Sequence, residues 1–334
     1  MASGSTVAVY SAIVGNTLVM VAKFSAFLVT GSSAMLSEAI HSFADVSNQG
    51  LLALGIARSH KEPDRKHPYG YAGERYIWAL ISAVGIFFLG CGVTIYHGVH
   101  TLIHPKPIAD HQIAFATLAF SFIIEGITLL IAIRATLADA RKDGVSLFQY
   151  LRAGSDPTGV AVVLEDSAAV LGVFIATAGL GLSLYFNNSY WDSIATILIG
   201  GLLGFVAIFL TSRTRSFLVG MAMPVADRNK ILKILTSDPI VEHVYDVKTA
   251  IIGTGAWRFK AEIEFDGEKI ARKYLSKIDV PAVSATLNTD EELKTFLIKY
   301  GDHIIGVLGD EIDRLEAKIK EQLPSVKHID IEVN

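Results

Sequence analysis

The sequence predicts an α-helical membrane bundle of six transmembrane helices, followed by a small α/β domain. The chain has 334 residues, of which 51% are hydrophobic and only 19% are charged, against about 25% charged residues in an ordinary soluble domain. The apolar residues are concentrated in the first two-thirds of the chain, in runs long enough to span a bilayer as helices, which takes about 20 residues. We therefore expect a transmembrane domain over residues 1–215 and a cytoplasmic domain over residues 216–334.

Separate spans in a bilayer can satisfy their backbone hydrogen bonds only as helices. The six predicted spans are residues 6–29, 34–57, 76–102, 111–135, 158–186 and 190–211. Lysine and arginine are frequent in the segments after the second, fourth and sixth spans and sparse in the loops after the others. The positive-inside rule therefore places both termini and the second domain in the cytoplasm.

The second domain alternates between helical and strand-like patterns. The predicted elements are a helix at 227–237, strands at 241–252 and 257–265, a helix at 290–322 and a strand at 329–333. Asp227 is a suitable N-cap for the first helix, and the apolar residues of the long helix recur at helical spacing. This order favours one layer of sheet with helices on one face. Residues 267–290 fit this pattern poorly, and we interpret them as an insertion.

Ionisable residues inside the spans are the candidate functional residues, because charge is costly at membrane depth. In the second span, His41, Asp45 and Gln49 are spaced by four, which places them on one face together with Glu38. The fifth span contributes Glu165 and Asp166. An imidazole and carboxylates that converge from two helices can replace the water around a divalent ion, and such a mixed set suits zinc.

We predict His41, Asp45 and Asp166 as metal ligands. Glu165 is an open case, since it lies about 100° around the helix from Asp166 and need not face the same ion. Three other ionisable residues of the spans are interpreted as structural: Lys23, Glu38 and Glu125. In the loop after the second span, His60, Asp64 and His67 predict either a collecting point for metal or a solvated basic loop.

Two motifs resemble the cation diffusion facilitator family. The run from Gly31 to Asp45, followed by the His67–Tyr71 segment HPYGY, is similar to its second helix and the loop beyond it, and Leu164–Gly172 is similar to its fifth helix. The segments 48–55 and 96–99 look most like the zinc transporter 9 branch. The resemblance implies a homodimeric six-helix exporter of zinc or a similar cation, exchanged for protons, with a ferredoxin-like cytoplasmic domain that helps to dimerise it.

Carried over residue by residue, the resemblance implies that His41 and Asp45 are the ligand pair of the second helix and that Asp166 is the ligand of the fifth. Many members of the family carry a further ligand four residues before that aspartate, where this chain has Val162. Glu165 is one candidate to replace it, and a site with only three protein ligands is the other.

The function expected from these features is export of a divalent cation, with zinc favoured, in exchange for protons by alternating access. The chain would be a multi-pass protein, in the cell (inner) membrane if it is prokaryotic, with metal ions, protons, lipid and a second copy as partners. Two alternatives stay open: an uncoupled metal facilitator, and a non-transporting scaffold or sensor that acts through residues 218–334. We expect no cofactor apart from the transported ion and no enzymatic activity, since no phosphate loop or HExxH run occurs. The net charge of −4 gives no reason to expect nucleic-acid binding.

Overall fold

The computed structural model describes residues 4–30, 33–105, 111–142, 144–154 and 156–334. The chain divides into two compact units, Met1–Val219 and Gly220–Asn334. Each unit is described by itself below.

The first unit is helical. Its elements are α1 (Gly4–Thr30), α2 (Ser33–Ser59), α3 (Glu74–Gly85), a π-helical segment (Ile86–Val93), α4 (Thr94–Ile103), α5 (His111–Lys142), the short α6 (Leu147–Ala153), α7 (Pro157–Phe186) and α8 (Tyr190–Val219). The π-helical segment joins α3 to α4 without a break, so that Glu74–Ile103 forms one rod. Asp156 is the N-cap of α7 and accepts a hydrogen bond from the Thr158 backbone N–H. Pro157 occupies the first helical position, where a backbone N–H would have no acceptor within the helix, so that proline loses nothing by lacking one.

Five helices of the described residues are long and apolar enough to cross a membrane: α1, the α3–α4 rod, α5, α7 and α8. The prediction of an integral membrane protein is confirmed for these five. Helix α2 has 27 residues but is not among them, because its middle carries the polar residues singled out as candidate ligands. The sixth span therefore stays a prediction.

The helices of this unit pack closely where glycines face them. Helix α1 contacts α2, α5 and α7, while α8 contacts α7 and the α3–α4 rod. A Cβ atom added at Gly200 on α8 would lie 2.6 Å from Ile95 Cγ1, and one at Gly98 on α4 would lie 2.7 Å from Ile197 Cγ1. The backbones of α4 and α8 thus meet almost directly, in the manner of small-residue interfaces in membrane bundles.

The second unit is a small α/β domain. Its elements are α9 (Val225–Thr236), β1 (Val241–Gly253), β2 (Ala256–Phe265), α10 (Gly267–Leu275), α11 (Val280–Ser284), α12 (Asp290–Gln322) and β3 (Val326–Val333). The strands form one sheet in the order β1-β2-β3, with β1 antiparallel and β3 parallel to β2. The predicted helices and strands are all present, and the ferredoxin-like assignment stays a prediction.

Two details of the sequence-based prediction need correction. Helix α9 has Pro224 at its N-cap position, so that Asp227 lies in the first turn, where its carboxylate is 2.8 Å from Lys230 Nζ. The segment 267–290, interpreted above as an insertion, holds α10 and α11, which the sequence-based prediction did not include. Asp266 and Asp279 cap these helices through backbone N–H groups three residues further on, which is the stabilising role of such residues at helix starts.

The core of the second unit lies between the sheet and α12. Phe259, Ala261 and Ile263 alternate along β2 and are fully buried, as expected for the inward face of a strand. Leu315 and Ile319, one helical turn apart on α12, are also fully buried and belong to the same hydrophobic cluster. The long helix is thus anchored to the sheet by its C-terminal half.

Candidate metal site

Helix α2 places the first two predicted ligands side by side. His41 Nε2 lies 3.8 Å from Asp45 Oδ2, one helical turn away, and the two side chains are 28% and 39% exposed. This distance is too long for a hydrogen bond, so neither atom is committed to the other. The predicted pair therefore offers a nitrogen and an oxygen on one face of α2.

Helix α7 brings its two acids to the same region. Asp166 is 3% exposed, and Glu165 is half-buried with its Oε1 atom shielded from solvent. Asp45 is close enough for its charge to act on both carboxyl groups. The structure thus brings together Asp45, Glu165 and Asp166, which are about 120 residues apart in the sequence.

Each of the two acids on α7 has a carboxyl oxygen with no donor. Among the described residues, Asp166 Oδ2 and Glu165 Oε1 are buried and have no hydrogen-bond partner. A buried acceptor without a donor costs free energy, and more so when it is charged. A cation bound between α2 and α7 would satisfy these oxygen atoms, so the cluster is better suited to hold a cation than to pack as a neutral core.

Thr128 on α5 supports Asp166 and was not identified from the sequence. Its hydroxyl donates a hydrogen bond of 2.9 Å to the Glu125 backbone carbonyl and lies near the Asp166 carboxyl, and Thr128 Cγ2 would lie 2.3 Å from a Cβ added at Gly15 on α1. The contact between α1 and α5 therefore holds the methyl group of Thr128 in place. A lone threonine in an apolar span carries no pattern that distinguishes it from a structural residue, so spacing could not find it.

Val162 contributes no ligand. It lies one turn before Asp166 on α7 and is fully buried in the hydrophobic cluster of the first unit. The two ionisable residues interpreted as structural whose side chains the structure describes, Lys23 and Glu125, are both buried.

The loop after α2 supports the interpretation as a solvated loop. The Asp64 carboxylate accepts hydrogen bonds from the Tyr71 hydroxyl, the His67 backbone N–H and Lys61 Nζ. These bonds, led by the one from Tyr71, hold the pKa of Asp64 well below its usual range. An aspartate occupied by three donors is poorly available to a metal ion, and His60 is exposed on the same loop.

One further group of potential ligands lies in the second unit, across β1 and β2. His243 Nδ1 is 3.2 Å from Glu264 Oε2, and one ligand atom from each of Glu242, His243 and Glu264 lies within 4.8 Å of the others. Glu242 and His243 are exposed, and exposed charge pairs of this kind are weak and screened by salt. Cross-strand pairing accounts for this group without a metal.

Comparison with known proteins identifies the family. The cation efflux transmembrane domain matches residues 9–219. The chain belongs to the cation diffusion facilitator family. Among the relatives of this chain, the human mitochondrial proton-coupled zinc antiporter SLC30A9 is 44% identical over 314 residues, which are 93% of this chain and 55% of that protein. Metal tolerance protein C4 from Arabidopsis thaliana is 41% identical over 333 residues, 98% of this chain and 73% of that protein.

The chain spans about half the length of the mitochondrial antiporters that it matches. These relatives confirm the family, which was predicted from two motifs, and its zinc transporter 9-like branch, which was predicted from the segments 48–55 and 96–99.

Proposed function

We propose that this chain exports a divalent metal ion, with zinc favoured, from the compartment that holds its second unit, in exchange for protons. The observation that carries the proposal is the convergence of Asp45 on α2 with Glu165 and Asp166 on α7, where buried carboxyl oxygens lack donors. Its human relative is named a proton-coupled zinc antiporter and its Arabidopsis relative a metal tolerance protein. Both names agree with a site built from one imidazole and carboxylates.

In this proposal α2 is the sixth span. Its 27 residues give a rod of about 40 Å at 1.5 Å per residue, which exceeds the roughly 30 Å of the hydrocarbon core. Its polar residues would face the bundle, where α2 contacts α1, α3 and α7. With six spans, the basic loops place both termini on the side from which the ion is taken.

Metal and protons would compete for the same ligands. His41, Asp45 and Asp166 must be deprotonated to bind metal, so binding displaces protons and protonation releases the ion. An imidazole changes charge in the physiological pH range, which makes His41 the proposed proton carrier. Exposure of the site to one side and then the other, as helices rock around it, would couple the two flows.

A flux assay under an imposed pH gradient tests this function. In proteoliposomes that contain the full chain, zinc should accumulate in the receiving compartment when that compartment is more acidic than the other. The net zinc flux should vanish when both the pH gradient and the zinc gradient are absent. An uncoupled facilitator would conduct zinc regardless of the pH gradient, and a scaffold or sensor would give no flux above empty vesicles.

The proposal also includes a homodimer that the second unit helps to assemble. Mass photometry of the purified chain in detergent should then show a particle of two copies. Deletion of the second unit, Gly220–Asn334, should lower the dimer fraction. A full-length chain that stays monomeric at micromolar concentration would contradict this part of the proposal.

A further inference from the structure

Histidine is concentrated at one end of the α3–α4 rod. Four of the ten histidines of the chain, His97, His100, His104 and His111, lie within residues 97–111, and the proposed transport site uses none of them. His100 lies in the last turn of α4, and His104 is the C-cap of that helix. Both of these residues are exposed, so neither belongs to the hydrophobic core.

His100 and His104 stack on one face of α4. They are four residues apart, so that one side chain lies above the other, and their ring centroids are 4.9 Å apart with the ring planes 29° from parallel. Two nitrogen atoms that bind one zinc ion at about 2.1 Å each are at most about 4.2 Å apart, a separation that rotation of two exposed rings can reach. Histidines at this spacing on one helix also form the zinc-binding pair of HExxH metalloproteases.

The end of α4 is electrostatically suited to a cation. The His104 backbone N–H donates a hydrogen bond of 2.9 Å to the His100 carbonyl, so the helical hydrogen bonding continues up to the pair. The last carbonyl groups of a helix carry partial negative charge, which stabilises a nearby positive charge. Two protonated imidazoles at this spacing would repel each other, whereas one metal ion shared by two neutral rings avoids that repulsion and keeps the favourable interaction with the helix end.

The histidine pair lies at the end of the first unit that is opposite to the basic loops. Beside it, Thr101 on α4 accepts a hydrogen bond of 3.1 Å from the hydroxyl of Ser193, in the first turn of α8. The basic residues of α8, Arg213 and Arg215, lie toward the other end of that helix. In the proposed function, the end that carries the pair faces the compartment into which the ion is released.

The length of the rod allows the pair to contact water. The rod Glu74–Ile103 has 30 residues and is therefore about 45 Å long at 1.5 Å per residue, against about 30 Å for the hydrocarbon core of a bilayer. Its last turn can thus lie in the headgroup region, where a hydrated ion reaches the two imidazoles without crossing apolar material.

We propose that His100 and His104 form a second metal site, which binds a zinc-type divalent ion through one nitrogen of each ring. Two protein ligands leave the other positions of a tetrahedral ion to water, so the site is open and should bind zinc more weakly than the transport site does. Imidazole ligands suit zinc, whereas magnesium and manganese prefer oxygen. The location on the release side rests on the proposed function, but the ability of the pair to bind metal does not.

Modification of histidines by diethyl pyrocarbonate, with and without zinc, tests the proposal on the purified full chain. Mass spectrometry of the peptides gives the modification rate at each histidine. Zinc at about ten times its dissociation constant leaves about one-tenth of the sites free, so the rates at His100 and His104 should both fall by about tenfold. His303 on α12 is the matched control, because it is also an exposed helix residue but has Lys299 in place of an imidazole four residues before it. Its rate should not depend on zinc, and equal protection at His303 and at the pair would overturn the proposal.

His104→Gln distinguishes one shared ion from two separate ligands. Glutamine is polar and this position is exposed, so the fold should persist. Removal of even an outer partner of a metal ligand costs tenfold or more in affinity, so loss of one of two ligands should raise the zinc concentration that protects His100 by at least about tenfold. If zinc protects His100 equally well in wild type and in His104→Gln, the two rings do not share an ion and the proposal is overturned.

Asp166→Asn separates this site from the transport site. The variant removes a proposed ligand of the transport site, so zinc should still protect His100 and His104 as in wild type. Zinc that protects His41 in wild type but not the pair would overturn this proposal and leave the proposed function in place. Protection of the pair in a chain that gives no zinc flux would support this proposal and contradict the proposed function.

Discussion

The Thr128 hydroxyl is the polar side-chain group from α5 that lies near Asp166. Thr128 approaches it from α5 and is itself held against Gly15 of α1, so three helices determine where one carboxylate lies. Partners of this kind fix the geometry of a metal ligand as much as the ligand itself does.

Thr128→Val should therefore lower zinc affinity by about ten- to a hundredfold, with little change in fold. Valine has the shape of threonine and keeps the methyl group that faces Gly15, so only the hydroxyl is lost. Zinc competition binding on the purified chain measures this, with Thr136→Val as the control on the same helix. Equal zinc affinity in both variants would show that Thr128 does not orient Asp166.

In the second unit, Asp238 is a buried residue whose charge stabilises the fold through Arg314. It is buried and accepts two hydrogen bonds of 2.9 Å from the guanidinium of Arg314. This interaction holds the pKa of Asp238 below its usual value. The stability that it contributes is thus complete above the unfolded pKa of about 3.9 and is lost as the pH falls through the lower pKa of the folded state.

Asp238→Asn should reduce the stability of the second unit by about 1 kcal/mol at neutral pH, a value kept low because Arg314 is 41% exposed. The difference from wild type should disappear well below pH 4. Trp257 fluorescence can follow unfolding of this unit in a chain with Trp78 and Trp191 replaced by phenylalanine. Glu268→Gln, at an exposed pair with Arg272, is the control and should change stability by less than about 0.5 kcal/mol. A difference that persists unchanged at pH 3 would contradict the assignment.

At the scale of elements, the polar residues of α2 lower its mean hydropathy, and the same residues include the candidate ligands His41 and Asp45. Spacing alone predicted that His41 and Asp45 share a face, and the structure agrees. Spacing could not predict that Asp45 lies within electrostatic range of Glu165 and Asp166, because that proximity depends on how distant helices pack. The sequence therefore predicted candidate ligands on each helix, and the structure adds that Asp45, Glu165 and Asp166 lie in one region.

Short helices were harder to predict than long ones. Helix α6 has seven residues, fewer than the two turns needed to show an apolar period, although Ser146 and Gln149 form a capping box at its start. Helices α10 and α11 are also short, with nine and five residues, and their aspartate caps were present in the sequence. Capping signals would have found these elements where periodicity could not.

The contact between α4 and α8 offers a test with adjacent residues. A Cβ atom at Gly200 would lie 2.6 Å from Ile95 Cγ1 and 3.1 Å from Ile95 N, whereas one at Gly201 would meet nothing within 4 Å. Gly200→Ala should therefore destabilise the first unit by about 1–3 kcal/mol, since it overfills a packed interface. Gly201→Ala should be neutral or slightly stabilising, because alanine is the better helix former. Thermal unfolding in detergent measures both, and equal stability of the two variants would mean that α4 and α8 are not in backbone contact.

At the scale of the whole molecule, the two units are built on different physical principles. The first holds most of the buried polar side chains of the described residues, set among apolar helices, while the second has an ordinary core between a sheet and α12. The central claim concerns the first unit: residues from α2 and α7 form one cation site through which the chain moves metal.

Zinc flux into proteoliposomes under a pH gradient tests this claim most directly, with wild type, Asp45→Asn, Asp166→Asn and Thr136→Val compared at equal protein content. Asparagine keeps the size of each side chain and removes its charge, so the fold should persist. We predict that Thr136→Val transports zinc at the wild-type rate, and that each asparagine variant loses at least about 90% of the flux because its metal affinity falls tenfold or more. Zinc flux at the wild-type rate in either asparagine variant would contradict the account.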